Sequence, residues 1–119
     1  MPTILVVDDE PSIRQLVKRV LERSGHRVIA CKGAAEALAA PGPFDLLLVD
    51  LILPEVNGRQ LTEELRARWP DLPVILMSGY PPQHDLTPSP PSVFLQKPMM
   101  PLAIVKAVAK LLEPRRSQT

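Results

Sequence analysis

Five short apolar runs, four of them halted by a polar residue and all separated by links or segments of helical period, constrain this chain more than any other feature. Ile4-Leu5-Val6-Val7 stops at Asp8-Asp9, and Leu46-Leu47-Leu48-Val49 stops at Asp50. Val74-Ile75-Leu76-Met77 runs into Ser78-Gly79, and Val93-Phe94-Leu95 runs toward Lys97-Pro98. With Val28-Ile29-Ala30 these make five strands, short and continuously apolar, as strands buried on both faces are. Between the first two, Ile13, Leu16, Val17, Val20 and Leu21 recur at helical spacing, with Pro11 in the first turn and Gly25 past the end. An Ala-rich helix from Ala34 to Ala39 is ended by Pro41 and Gly42. Leu61, Leu65 and Trp69 mark a third helix that Pro70 closes, and a last one is expected over about 101–112. Strand alternating with helix through short links requires parallel strands and right-handed crossovers, an open α/β sandwich.

At 119 residues the chain suits one domain. We place it at residues 1–113, followed by a polar tail at 114–119. With 45% hydrophobic but only 3% aromatic residues, the core must be aliphatic. Fourteen basic and 13 acidic residues leave a formal charge of +1, which gives no long-range field for gathering nucleic acid or an anionic membrane. Cys31 is the only cysteine, so an internal disulfide and a cysteine-based zinc site are excluded, and a reducing cytoplasm is the expected location. No segment approaches the ~20 apolar residues of a membrane helix, and no secretory signal pattern opens the chain. Met1 leads within two residues into the first strand, which argues against a lost N-terminal domain.

The halting residues carry the chemistry. In a parallel sheet the strand C-termini share one edge, and ligands bind in the crevice there. Asp8, Asp9, Asp50, Ser78 and Lys97 should therefore converge. Several carboxylates together suit Mg²⁺, which takes hard oxygen ligands and keeps water and phosphate as partners. A carboxylate in such a site can also act as a nucleophile and form an aspartyl-phosphate, with the metal and Lys97 offsetting the repulsion between like charges. Each residue also has an ordinary structural role. Acidic residues favour helix starts, Asp50 could end a turn, Ser78 could cap a helix, and Lys97 could be a solvated charge.

Taken together, Val6-Val7-Asp8-Asp9-Glu10-Pro11, Leu48-Val49-Asp50-Leu51 with Pro54 and Gly58, Met77-Ser78-Gly79 and Phe94-Leu95-Gln96-Lys97-Pro98 resemble the receiver domains of bacterial two-component systems. The wording around Ser78-Gly79-Tyr80 and Leu95-Gln96-Lys97-Pro98 is similar to receivers of hybrid histidine kinases. Each motif alone is weak; the full set in order along the whole chain is specific. The resemblance implies a flavodoxin-like open parallel sheet of order 2-1-3-4-5 with helices on both faces. It implies Asp50 as phosphoacceptor, with Mg²⁺ held by Asp8, Asp9, Asp50 and the main-chain carbonyl of Ile52. It further implies Ser78 and Lys97 as phosphoryl-binding groups, Phe94 as a switching aromatic, and a cis bond at Lys97-Pro98. The phosphoryl donor would be a histidine kinase or a histidine phosphotransfer protein. The signal would leave through contacts with another protein, and the chain would be an enzyme only in phosphorylating and dephosphorylating itself. Rival readings are a binding module that is never phosphorylated and an aspartyl phosphohydrolase. The first should lack an acidic or lysine position, and the second often carries a second Asp where Ile52 stands.

Two departures follow from the residues. Five of the 15 prolines fall between Pro81 and Pro91, leaving Leu86 as the only apolar residue there that is not proline, so the fourth helix of the family should be missing. On the last helix, Leu102, Val105, Ala109 and Leu112 are expected to face the sheet. Ile104, Val108 and Leu111 would then form an apolar flank open to a homodimer or a partner, or else covered by a well-packed loop.

Overall fold

The computed structural model describes residues 2–80 and 89–116, the last four of these by backbone alone. Five strands form one parallel sheet: β1 (Thr3–Val7), β2 (Arg27–Cys31), β3 (Leu46–Asp50), β4 (Val74–Ser78) and β5 (Ser92–Gln96). Their order is β2-β1-β3-β4-β5, as expected. Four helices are present among the described residues: α1 (Pro11–Arg23), α2 (Ala34–Ala39), α3 (Gly58–Arg68) and α4 (Pro101–Arg116). No helix lies between β4 and β5 among the described residues; the stretch 81–88, where most of the proline-rich expectation falls, is outside them.

Side chains alternate across a strand, so each strand feeds two cores. Leu5, Val7, Leu47, Val49, Val74 and Leu76 meet Ala34 and Ala37 of α2 and Leu61 and Leu65 of α3. Ile4, Val6, Leu46, Leu48, Ile75 and Met77 meet Val17 and Leu21 of α1 together with α4. Both clusters are almost wholly aliphatic; among the described residues the one ring pair is Phe44 edge-on to Trp69, centroids 5.3 Å apart.

The last helix corrects the expected facing. Ile104, Ala107, Val108, Leu111 and Leu112 are buried, whereas Leu102 is 61% exposed and Ala109 is exposed. Ile104, Val108 and Leu111 are therefore core, and the apolar flank expected to be open to a homodimer or a partner is covered by α1 and the sheet. Packing against two surfaces at once decided the rotation: α4 must serve the sheet and α1 together, which turns its buried stripe away from Leu102. The helix also runs on to Arg116, through Pro114, beyond the expected end at 112. A proline's φ is compatible with a helix, and with only two residues after Pro114 the backbone hydrogen bond it forgoes lies in the last turn.

Candidate functional site

The parallel register assembles the site. Val7 pairs with Val49, so Asp8 and Asp50 emerge side by side from β1 and β3. Asp50 pairs with Met77, and Ser78 pairs with Gln96, which sets Ser78 and Lys97 in the next two places along the same edge. The Lys97 N–H donates to the Ser78 carbonyl at 2.7 Å, and the Lys97–Pro98 peptide is cis.

The Lys97 ammonium joins two carboxylates, donating to Asp8 Oδ2 and Asp50 Oδ2 at 3.0 Å each. Asp8 is completely buried and Asp50 nearly so. Asp8 Oδ1 accepts the Glu10 N–H at 2.9 Å, and Asp50 Oδ1 accepts the Ile52 N–H at 3.1 Å. Burial pushes the Asp50 carboxyl above its ordinary value, and Asp8 pushes the same way; the hydrogen bonds from Lys97 and Ile52 oppose the shift without cancelling it. Burial alone would lower Lys97, but its hydrogen bonds to Asp8 and Asp50 outweigh that and hold it above the usual lysine value. The lysine is thus charged at neutral pH, beside a carboxylate whose negative form is costly here.

Carboxylate oxygens of Asp8, Asp9 and Asp50 lie within 4.8 Å of one another. Three hard, anionic oxygens at that spacing, one of them on an exposed residue open to solvent, are a donor set that fits Mg²⁺. Ser78 is buried at the end of β4 and its Oγ accepts the Tyr80 N–H at 3.0 Å. Phe94 is partly buried against the core on the α2–α3 side, away from the α1–α4 side.

A family model for the response regulator receiver domain matches residues 4–109. The chain belongs to the response-regulator receiver family. Among curated relatives of this receiver, the transcriptional activator protein PfeR of Pseudomonas aeruginosa is 38% identical over 86 residues, 71% of this chain and 28% of its own length. The receiver spans about half or less of the length of the curated relatives first matched. Among solved structures, the receiver domain of the hybrid histidine kinase CckA is 30% identical with a TM-score of 0.80, covering 92% of this chain and 98% of that one. A CheY-like receiver domain protein from Methanospirillum hungatei is 25% identical with a TM-score of 0.88, covering 100% of this chain and 99% of that one.

One contributor to the receiver site was underrated in the sequence. Gly58 was seen only as part of a loop motif, yet a Cβ there would strike the Asp50 carbonyl oxygen and crowd the Leu51 Cα. Its N–H donates to the Leu51 carbonyl at 2.6 Å, and Ile52 bridges Asn57. The loop after Asp50 is thereby pinched shut at its base, and only glycine allows the backbones to approach so closely. Asn57 and Gln60 then cap α3 reciprocally, at 2.8 and 3.2 Å. Asn57-Gly58, seven and eight residues past Asp50, was the available signal. No helix among the described residues is long and apolar enough to cross a membrane.

Proposed function

We propose that this receiver accepts a phosphoryl group on Asp50 from a phosphohistidine of a histidine kinase or histidine phosphotransfer protein, in a Mg²⁺-dependent reaction in the cytoplasm. The observation that carries the reading is Lys97 placed 3.0 Å from both Asp8 and Asp50, with Asp9 completing the acidic trio. An Asp50 oxygen forms the new bond to phosphorus while the phosphorus–nitrogen bond breaks, and its electron pair returns to the donor imidazole. Lys97 supplies a fixed positive charge to an acceptor that would otherwise repel the incoming group. Asp50 is held for attack by the Ile52 N–H and by the pinched loop behind it. Mg²⁺, held by Asp8, Asp9, Asp50 and the Ile52 carbonyl, would neutralise charge on the phosphoryl oxygens. The Ser78 hydroxyl is the group available to donate to a phosphoryl oxygen, and Phe94 is the aromatic that would follow it. Output passes through protein contacts, and catalysis extends only to the protein's own phosphorylation and dephosphorylation.

The test is covalent. Incubation with acetyl phosphate and Mg²⁺ should add one phosphate by intact-mass spectrometry, and Asp50→Asn should add none. An undiminished adduct in Asp50→Asn removes the assignment.

A further inference from the structure

The three carboxylates are held unequally. Asp8 is tied at both oxygens, by the Glu10 N–H and by Lys97, and Asp50 by the Ile52 N–H and Lys97. Asp9 is exposed, and its carboxylate has no hydrogen bond or ion pair among the described residues. Its place beside the other two is therefore set by its backbone. That backbone is gripped at Asp8: the Asp8 N–H donates to the Cys31 carbonyl at 3.1 Å, and the Asp8 carbonyl accepts from Arg14 Nη1 at 2.8 Å. Arg14 reaches back from the first turn of α1, where its own N–H donates to the Glu10 carbonyl at 3.0 Å. The Asp8 carbonyl and the Asp9 N–H share one rigid peptide plane. Holding the carbonyl thus sets the rotation of the peptide from which Asp9 projects.

We propose that Arg14 is a positioning residue for the divalent-cation site, fixing the Asp8–Asp9 peptide so that Asp9 stays within reach of Asp8 and Asp50. This rests on the reading of the trio as a Mg²⁺ site. Arg14 bonds a carbonyl and not a carboxylate, so its service is orientation; its charge by itself disfavours a cation. The two effects have opposite signs, and that makes the role testable.

Mg²⁺ is titrated calorimetrically into the full chain and into Asp9→Ala, Arg14→Met, Arg14→Lys and Arg19→Met. Asp9→Ala should lose most of the affinity. Arg14→Met should weaken binding by about tenfold, the lower end of the cost of losing a partner that orients a metal ligand. Arg14→Lys, which keeps a donor, should recover most of the loss. Arg19→Met, which removes an exposed arginine of the same helix, should match the parent. In metal-free protein the Asp9 amide resonance should move in Arg14→Met and stay in Arg19→Met; Arg14→Gln, too short to reach, replaces Arg14→Met should that variant not fold. Binding in Arg14→Met equal to or tighter than the parent, with Asp9→Ala still defective, overturns the role of Arg14 alone. Unchanged binding in Asp9→Ala overturns the cation site and this proposal with it.

Discussion

At the scale of single residues, the site is assembled against its own electrostatics. One ammonium serves two buried carboxylates, and a third carboxylate stands beside them. Such pairs are weak evidence for stability, because desolvation offsets most of the attraction, so their presence points to chemistry. Two neighbouring side chains bear on how long a phosphoryl group would last. In the family, water must approach in line with the phosphorus–oxygen bond, past the side chains two positions after the phosphoacceptor and after the switch hydroxyl. Here these are Ile52, 54% exposed, and Tyr80, 61% exposed. The Tyr80 ring is mostly exposed, and neither side chain is an acid or amide able to orient water. Phosphoryl loss should therefore be slow, and Ile52→Asn with Tyr80→Glu should speed it by roughly 10-fold to 100-fold, the scale of restoring a positioned reactant. A time course of intact mass decides the matter; equal decay in parent and double mutant would remove both residues from control of the rate.

At the scale of elements, α1 and β1 to β4 were plain from pattern alone, because each has one period and one set of breakers. The last helix was not. Leu102, Ile104, Val105, Val108, Leu111 and Leu112 surround much of its axis, so two different stripes satisfy a 3.6-residue period. Only its simultaneous packing on the sheet and α1 selects Ile104, Val108 and Leu111. The distinction is measurable. Ile104→Ala, at a fully buried position, should cost about 2–4 kcal/mol of unfolding free energy, whereas Leu102→Ala should stay within about 0.5 kcal/mol. Urea unfolding of the two variants would show it, and equal losses would mean that α4 sits differently in solution. The connection before β5 is anchored at its far end by Arg66 of α3. Its guanidinium donates to the carbonyls of Leu72, Ser89 and Pro91 at 3.1, 2.7 and 3.0 Å.

At the scale of the molecule, the sheet is a shared wall between two aliphatic cores, so neither core should melt alone. Trp69 packs against the α2–α3 cluster, while Leu21 lies in the other. Leu21→Ala should nevertheless lower the midpoint seen by Trp69 fluorescence and by far-UV circular dichroism equally, by about 2–5 kcal/mol in stability. Separated transitions would show that the two faces unfold independently.

Much of this molecule was determined locally, in residues that need no distant partner to be read. Apolar runs of strand length, their polar stops and the helix breakers specify the alternation of elements, and the right-handed crossover rule then leaves few sheets to choose from. Because parallel strands end at one edge, the convergence of Asp8, Asp50, Ser78 and Lys97 was legible as well. Other features depended on side-chain and backbone contacts that the periods and breakers do not reveal, some of them between neighbouring segments and some across the sheet. These are the bridging of Asp8 and Asp50 by one lysine, the closeness of Gly58 to the Asp50 carbonyl, the hold of Arg14 on the Asp8 carbonyl and the rotation of α4. A residue's period says which sides it could bury. Which side it does bury, and which backbone atom its polar end meets, is set by the surfaces that fold against it.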